Sequence, residues 1–387
     1  MTSNSRGECS RHAIDTRVSE IIARLSLEDK IGQMMQLDGR RDPLANLERY
    51  HPGSFLHMLG DNAREVQQAA LQTGPRIPLL FGIDAIHGHS FCPGASIFPT
   101  QLGLACSWNP ELARTVGKVT AAEMRPTGVH WTFAPVLCIT RDLRWGRVGE
   151  TFGEDPLLIE LLATAMIDGL QGDDISADSS ILACAKHFAG YSETLGGRDS
   201  SEADLSWRKL RSFFLPPFQA AARAGCATFM TGYQAIDGTP CTSNRRLLTD
   251  TLRSAWGFDG IVVTDWRNVA HMVHNQHVFA TMAEAAAAAV QAGNDLIMAT
   301  PEFYDAALEA VRDRLLAESA VDTAVRRILA LKVRMGLFDD PRLPQPDKFS
   351  VVVGCPEHRT ALLRAARESI VLLENRDGIL PLDPQLP

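Results

Sequence analysis

The sequence predicts an α/β fold, a (β/α)8 barrel of the TIM type, because short apolar runs alternate with longer amphipathic stretches along its 387 residues. Eight apolar runs match the number of strands that such a barrel requires. Several of them end in charged or aromatic residues, which is where barrel strands carry their chemistry. The candidate strands are residues 31–38, 53–58, 78–84, 131–139, 181–188, 226–233, 260–266 and 294–299.

Helical patterns separate the candidate strands. Residues 110–124 open with a proline behind Asn109, and residues 156–170 open with a proline behind Asp155, so each has a helix-capping residue in place. A doubly wound open sheet is the rival fold, and it would need a glycine-rich phosphate turn after an early strand. No G-x-G-x-x-G or Walker pattern occurs, which favours the barrel. Further helices are predicted for residues 210–224, 245–256, 283–292, 322–341 and 359–369.

The pattern divides the chain into three parts. Residues 1–24 are predicted to be an N-terminal extension, and residues 25–340 the barrel. The proline-rich stretch at 341–347 is typical of a linker, and residues 368–382 have the pattern of an apolar strand and a turn. We therefore expect residues 341–387 to form a linker and the beginning of a second α/β domain that is cut short.

Composition excludes several classes of protein. A hydrophobic share of 45%, a charged share of 22% and a net charge of −8 describe a globular protein and argue against general binding to nucleic acid or anionic membranes. No apolar span is long enough for a transmembrane helix. The N-terminal residues lack the apolar centre of a secretory signal, which predicts a cytoplasmic location. The eight cysteines form no C-x-x-C pair, so reduced thiols are expected.

The most informative single residue is Asp265, which ends the apolar run GIVVTDW at 260–266. An aspartate at the C-terminal tip of a barrel strand can attack carbon, bind a metal, take a proton or cap the next helix. The other strand ends decide between these roles, because a barrel gathers them around one mouth. They carry Asp84 and His87; Arg141, Asp142, Arg144 and Arg147; Lys186 and His187; Tyr233; and Trp266.

This mixture of side chains suits a neutral ligand with many hydroxyl groups. Carboxylates accept hydrogen bonds from vicinal hydroxyls, and lysine and arginine donate to them. The indole of Trp266 would cover the apolar face of a sugar ring. Cations close to Asp265 would hold it ionised, as a nucleophile requires.

Five motifs in this chain resemble glycoside hydrolase family 3, in the same order along the sequence. The likeness is to the N-terminal barrel domain of its β-glucosidases and β-xylosidases, and it runs from about residue 25 to the C-terminus. The motifs are GIDAIHG at 82–88, RDLRWGRVGETFGEDP at 141–156, KHFAG at 186–190, FMTGYQAIDGTP at 229–240 and GIVVTDW at 260–266.

The resemblance implies a role for each matching residue. Asp265 corresponds to the catalytic nucleophile, and Trp266 to the indole beside it. Sugar-binding roles are implied for Asp84, Arg147, Lys186, His187, Tyr233 and, with a less direct match, Arg198.

The reaction implied is retaining, exo-acting hydrolysis of a terminal β-linked sugar through a covalent glycosyl-aspartate. Glucose is the first choice of sugar and xylose the second. The partner is a small carbohydrate or glycoside, no metal or organic cofactor is implied, and the oligomeric state stays open.

The proton donor is where the resemblance breaks. A retaining glycosidase needs a second group roughly 5 Å from the nucleophile. Two-domain family members take a glutamate from the C-terminal domain, whereas single-domain members use a His and an Asp in the loop after the K-H-F motif. That loop, residues 191–202, contains no histidine here. We therefore expect the acid/base glutamate on a missing C-terminal domain, with Glu150, Glu154 and Glu193 as candidate substitutes.

Two other functions stay open. One is a Schiff-base aldolase, in which Lys186 at its strand tip attacks a carbonyl. The other is a catalytically impaired fragment that binds sugar without turning it over.

Several charged or metal-binding residue types have a plainer interpretation. Arg141 and Arg144 are expected to form ion pairs with neighbouring acids, namely Asp142, Glu150, Glu154 or Asp155. The histidines at 271, 274 and 277 are spaced i, i+3, i+6, which spreads them around a helix instead of pairing them as a zinc helix does. A solvated loop or helix start is predicted for them.

Overall fold

The computed structural model describes residues 3–385 and shows an α/β fold built on curled parallel sheet. Each of the eight predicted apolar runs contains one parallel strand, and every residue of these strands is buried. A two-stranded antiparallel hairpin, β7–β8, is added at one side. The strands are β1 Met35–Asp38, β2 Ser54–Leu56, β3 Leu80–Ile83, β4 Trp131–Thr132, β5 Cys184–Phe188, β6 Thr228–Thr231, β7 Ala235–Ile236, β8 Thr239–Pro240, β9 Ile261–Val263 and β10 Ile297–Met298.

The parallel strands form two sheets with the orders β10-β1-β2-β3-β4 and β5-β6-β9. Isolated parallel bridges lie between the sheets, from Trp131 to Leu182 on one side and from Val263 to Leu296 on the other. The indole of Trp131 also donates from Nε1 to Thr228 Oγ1 across the interior at 2.9 Å. The carboxyl ends of all eight strands therefore face one side of the curled sheet.

Helices cover the outside of the sheet. They are α1 Ser3–Ile22, α2 Leu27–Gln33, α3 Pro43–Tyr50, α4 Gly60–Ala70, α5 Gln101–Ala105, α6 Pro110–Met124, α7 Pro156–Gln171, α8 Trp207–Lys209, α9 Pro216–Arg223, α10 Asn268–His274, α11 Met282–Ala292, α12 Phe303–Arg312, α13 Glu318–Arg334, α14 Pro346–Val352 and α15 Pro356–Glu368. Leu210–Phe214 and Arg246–Ala255 are π-helical.

The two predicted helix caps are confirmed. Asn109 Oδ1 accepts from the backbone N–H groups of Glu111 and Leu112 at 3.1 and 3.3 Å. Asp155 Oδ1 accepts from Leu158 N at 2.9 Å. In both helices a proline follows the cap, where its missing N–H costs no hydrogen bond.

Three predicted boundaries are wrong. Residues 31–33, expected in the first strand, complete helix α2, where Ile31 is buried and the Gln33 amide is hydrogen-bonded to His51 O and Lys332. The long helix near residue 330 begins at Glu318 and ends at Arg334, before the predicted end at 341. The apolar stretch 368–382 forms no strand: beyond the end of α15 at Glu368 it is exposed and irregular except for a 3-10 turn at Arg376–Gly378, and Leu373 is 92% accessible. A strand needs a hydrogen-bonding partner, and within residues 3–385 none lies beside this stretch.

The predicted linker is packed against the sheet domain. Gln345 N donates to Pro126 O at 2.8 Å, and the buried Arg342 donates to Ser180 O at 3.1 Å. The division into three parts stays a prediction.

A buried carboxylate, Glu123 on α6, joins two separate parts of the chain. It accepts from Ser96 N at 2.7 Å and from Ser96 Oγ at 2.9 Å, in the loop that follows β3. It also accepts from Gly354 N at 3.0 Å and lies 2.8 Å from His358 Nδ1, at the junction of α14 and α15. These hydrogen bonds lower the pKa of Glu123, although its burial acts in the opposite direction. Glu123 therefore fastens the C-terminal helices to the β3 loop.

Within residues 3–385, no helix combines the length and the apolar character needed to cross a membrane. The cytoplasmic location stays a prediction.

Asp295, just before β10, fixes the register of β9. Its carboxylate is fully buried and accepts from Val262 N at 2.8 Å and from Arg327 Nη1 at 2.9 Å. The guanidinium of Arg253 completes the cluster. Because β9 ends two residues before Asp265, this buried cluster also sets the position of that carboxylate.

We expect Asp295→Ala to lower the free energy of unfolding by about 3–5 kcal/mol, because removing one member of a buried ion pair leaves the others uncompensated. Denaturant unfolding followed by circular dichroism measures the loss. Asp313→Ala is the matched control, since Asp313 pairs with Arg312 in solvent. Equal, small losses in both variants would contradict the assigned role of Asp295.

Candidate active site

A cavity of about 320 Å³ lies at the carboxyl ends of the parallel strands. Seven of the eight predicted site residues line it, and only Arg198 does not. The lining residues are Leu56, Asp84, Ile86, Phe133, Arg147, Glu150, Lys186, His187, Met230, Tyr233, Asp265, Trp266 and Met298. The structure thus brings together predicted site residues that lie up to 182 positions apart, from Asp84 to Trp266.

Asp265 lies two residues beyond the end of β9, and its side chain is 11% accessible. Its Oδ1 accepts from Trp266 N at 2.7 Å, whereas its buried Oδ2 has no hydrogen-bond partner. Burial raises the pKa of Asp265, and the positive charges of Arg147 and Lys186 oppose this effect. The carboxylate therefore has one oxygen fixed by the backbone and one left for a ligand.

Lys186 and Asp84 form an ion pair across the cavity. Lys186 lies on β5 and is almost fully buried, and its Nζ donates to Asp84 Oδ1 at 2.7 Å. The Asp84 side chain is 40% accessible. A donor and an acceptor thus stand side by side, which suits recognition of neighbouring hydroxyl groups.

Arg147 connects the cavity to His187. Its guanidinium donates to both oxygens of Glu150 at 2.8 Å, and Nη2 lies 3.2 Å from His187 Nε2. Burial lowers the pKa of His187 well below its usual value, and the charges of Arg147 and Lys186 add to this, so the imidazole is neutral. Because arginine only donates, Nε2 must accept and the proton is assigned to Nδ1.

The assigned tautomer defines two further contacts of His187. Nδ1 faces the sulfur of Cys138 at 3.7 Å, and burial raises the pKa of that thiol to about 12. Nε2 lies 3.4 Å from Asp265 Oδ2. Both Nε2 and Oδ2 are hydrogen-bond acceptors in this contact, and neither carries a proton. The contact is therefore not an ion pair, and Asp265 Oδ2 receives no hydrogen bond from His187.

Tyr191 belongs to the site although no sequence pattern pointed to it. Its ring packs edge-on against Trp145 and His187, each at a centroid distance of 5.2 Å, and lies 5.8 Å from Tyr233. The guanidinium carbon of Arg147 stands 5.5 Å from its centroid. Burial raises the pKa of the Tyr233 phenol, and the charge of Asp265 adds to the effect. Tyr191 begins a short 3-10 turn, Tyr191–Glu193, in the connection after β5, and a single turn is too short to show a periodic pattern.

Arg198 is not brought to the cavity. Its side chain is exposed, and Nε donates to Leu195 O at 3.2 Å. The loop turns at Gly196 and Gly197, both at positive φ, and Gly197 packs against the backbone of Arg144, which holds the next residue on the outside.

The remaining predicted contacts have mixed outcomes. Arg144 pairs with Asp142 at 2.7 Å, as predicted. Arg141 pairs with Glu193 instead of an acid of its own motif, so that prediction is wrong; the loop after β5 folds back over it. His87 Nδ1 bonds to Phe98 O at 2.8 Å and does not line the cavity.

The three histidines that were predicted to lie in a solvated loop or helix start differ in their positions. His271 and His274 lie on α10, whereas His277 lies in the loop that follows the helix. The ring of His271 packs on Tyr233 at 5.4 Å, so it supports the cavity wall.

Of the candidate substitute acids, only Glu150 lines the cavity. Glu193 is engaged by Arg141 and by Lys209, the latter at 3.5 Å, and Glu154 is exposed. Glu150 itself accepts from Arg147 on both oxygens, so its carboxylate is already engaged in an ion pair.

Residues 26–331 match the family model described as "Glycosyl hydrolase family 3 N terminal domain". The chain belongs to glycosyl hydrolase family 3. It is 34% identical to a lysosomal β-glucosidase of Dictyostelium discoideum, over 96% of this chain and 50% of that protein. It is 34% identical to a β-xylosidase of Formosa agariphila, over 96% of this chain and 49% of that protein. The family relationship that the five motifs suggested is confirmed.

A solved β-glucosidase from intestinal bacteria, described as involved in saponin metabolism, is similar in structure. It is 52% identical with a TM-score of 0.90, over 94% of this chain and 48% of that one. The chain thus spans about half the length of the relatives it matches.

We expect Arg147→Gln to raise the pKa of Asp265 further, because it removes the stronger of the two charges that favour the carboxylate. Infrared difference titration of the carboxyl band measures this pKa, with Asp265→Asn as the blank that assigns the band. Arg144→Gln is the control, since Arg144 is exposed and paired with Asp142. An unchanged or lower pKa in Arg147→Gln would show that desolvation alone governs Asp265.

Proposed function

We propose that the chain is the catalytic part of a retaining, exo-acting β-glucosidase that hydrolyses terminal non-reducing β-D-glucosyl residues. The observation that carries the proposal is Asp265: a buried carboxylate, with one unpartnered oxygen, in a cavity whose other polar groups suit sugar hydroxyls. Family membership and the β-glucosidase and β-xylosidase relatives support the same activity.

In the proposed reaction, Asp265 Oδ2 attacks the anomeric carbon while the bond from that carbon to the leaving-group oxygen breaks. The leaving oxygen takes a proton, and water then cleaves the glycosyl-aspartate with retention of configuration. Burial of Asp265 assists the first step, because forming the ester removes a charge that is costly to bury. The positive charge that develops on the sugar is stabilised by the same carboxylate.

The other cavity residues are proposed to hold the sugar. Lys186 Nζ and the accessible carboxylate of Asp84 would bind adjacent hydroxyl groups, and Trp266 would lie against a ring face. Arg147 has its guanidinium committed to Glu150 and His187, so its proposed role is to hold that wall and keep Asp265 ionised. A cavity volume of about 320 Å³ supports action on one terminal residue.

The proton donor is proposed to be a glutamate of a C-terminal domain, for which residues 341–387 would form the linker and the beginning. Two observations support this proposal. Each carboxylate that lines the cavity besides Asp265, namely Asp84 and Glu150, is bound to a cation. The relatives that match are about twice as long as the chain.

The finer architecture is part of the proposal. We infer that the two parallel sheets close into a complete (β/α)8 barrel. The isolated parallel bridges Trp131–Leu182 and Val263–Leu296, at the two junctions between the sheets, support closure.

A β-xylosidase is the second candidate activity, and the 34% identical enzyme of Formosa agariphila favours it. A Schiff-base aldolase is disfavoured. Lys186 is bound to Asp84 at 2.7 Å, whereas a Schiff-base lysine needs apolar surroundings that keep the amine neutral. A panel of nitrophenyl glycosides distinguishes glucose from xylose.

We expect the isolated chain to depend strongly on its leaving group. Without an acid, the chain should cleave 2,4-dinitrophenyl β-glucoside much faster than methyl β-glucoside, because the phenolate leaves without a proton. The ratio of these two rates should be at least about 100-fold larger than the same ratio for an enzyme whose acid is intact. Single-turnover rates for both substrates measure this. Similar, fast cleavage of both would place the acid within the chain, and Glu150→Gln, compared with Glu193→Gln, would then locate it.

We expect 2-deoxy-2-fluoro-β-glucosyl fluoride to label the protein at Asp265. The fluorine at C2 slows hydrolysis of the glycosyl-enzyme, so the ester accumulates. Peptide mass spectrometry identifies the labelled residue, and Asp265→Ala should take up no label. Sugar binding without labelling, and without turnover of dinitrophenyl glucoside, would identify a sugar-binding remnant.

A further inference from the structure

A second polar cavity, of about 290 Å³, lies between helices on the outside of the sheet. It shares no lining residue with the cavity at the strand ends, and we call it the outer cavity. Both π-helical segments of residues 3–385, Leu210–Phe214 and Arg246–Ala255, contribute to its walls. Such segments are rare and often mark functional sites. The polar and aromatic residues of its walls are Trp207, Arg211, Gln219, Thr251 and Trp256.

The two parts of the chain around the outer cavity are strongly basic, although the whole chain has a net charge of −8. Residues 205–225 contain four basic residues and no acid, and residues 245–256 contain three basic residues and one acid, Asp250. Three of these cations are paired with acids, namely Lys209, Arg245 and Arg253. The other four form no ion pair within the described part of the chain, and they are Arg208, Arg211, Arg223 and Arg246.

Three of these four arginines stand at the outer cavity. Arg211 lines it and is exposed. The guanidinium carbon of Arg246 lies 3.9 Å from the ring centroid of Trp207, which also lines the cavity. Arg223 Nη2 donates to Gln219 Oε1 at 3.3 Å when that amide is oriented to satisfy its neighbours. Guanidinium groups gathered around a cavity without acids to bind them suit a carboxylate or a phosphate, because their planar donors match the oxygens of those groups.

The outer cavity also has uncharged groups that suit the body of a sugar. In the orientation just given, Gln219 Oε1 also accepts from Trp256 Nε1 at 3.2 Å, which leaves the amide nitrogen as a donor. The Thr251 hydroxyl donates to Arg246 O at 2.8 Å, so its lone pairs can accept. The volume of about 290 Å³ is close to the 320 Å³ of the cavity at the strand ends, so a ligand of one sugar residue fits.

We propose that the outer cavity is a second ligand site, which binds a sugar that carries a phosphate or carboxylate group. Arg211 and Arg246 bind the anionic group, and Gln219 and Thr251 bind hydroxyl groups of the sugar ring. The inference goes beyond the proposed function, because no residue of the outer cavity takes part in hydrolysis. A neutral sugar would leave the arginines without a partner, and a bare anion would leave Gln219 and Thr251 unused.

Isothermal titration of the full chain with glucose 6-phosphate and with glucuronate tests the inference. At least one of these probes should bind, and Arg211→Gln should weaken its binding about tenfold or more, the effect of losing one charge-assisted hydrogen bond. Arg208→Gln is the matched control, since Arg208 is an exposed arginine nearby that does not line the cavity. Lys186→Gln should leave the binding unchanged, because Lys186 is the cation of the strand-end cavity that pairs with Asp84. In this variant the probe should bind about tenfold more tightly than glucose or inorganic phosphate.

Failure of both probes to bind would overturn the inference and identify the arginines as an ordinary solvated surface. Equal affinities of Arg211→Gln and Arg208→Gln would also overturn it. Loss of binding in Lys186→Gln would place the ligand at the strand ends, and glucose or inorganic phosphate that binds as tightly as the probe would exclude recognition of an anionic sugar. Each of these outcomes is independent of the proposed function, because none of the titrations measures hydrolysis.

Discussion

The site depends on keeping one carboxylate charged inside the protein. Three carboxylates, Asp84, Glu150 and Asp265, line the cavity with only two cations, Lys186 and Arg147, because His187 is neutral. Each cation is already paired with one of the other two acids, so Asp265 receives only their longer-range attraction. The carboxylates that line the cavity thus outnumber its cations by one. In the proposed reaction, a sugar whose anomeric carbon becomes positive would supply the balancing charge only in the transition state.

Short segments of buried backbone hold these carboxylates and cations in place. Asp265 follows a buried strand of three residues, its Oδ1 is held by the next backbone N–H, and the strand is fixed by the fully buried Asp295. The cations come from a different strand and a loop, and their partners hold them in place. Asp84 holds Lys186 and Glu150 holds Arg147, so neither cation is free to pair with Asp265 Oδ2.

Sequence patterns predicted the strands and the residues at their ends. They did not predict which residues the loops bring to the site. All eight parallel strands were predictable, because short apolar runs of this kind usually form buried strands. Seven cavity-lining residues were predictable, because they lie at strand ends or in long motifs. Tyr191, Cys138 and the outward turn of Arg198 depend on irregular backbone, where spacing has no fixed meaning. The exposed stretch 368–382 has a strand-like composition, but composition does not provide a partner strand. Whether the sheet closes fully depends on single bridges, which no pattern in the sequence encodes.

The double attachment of Glu123 has a consequence for how this chain tolerates change. The loop that begins at Asp84 is anchored at Ser96, and the C-terminal helices are anchored at Gly354 and His358, on the same buried carboxylate. A shift of the helices by an ångström alters the hydrogen bonds that hold the loop, and an insertion in the loop strains the helices. The β3 loop and the C-terminal helices therefore depend on one carboxylate, and a change at either attachment affects the other.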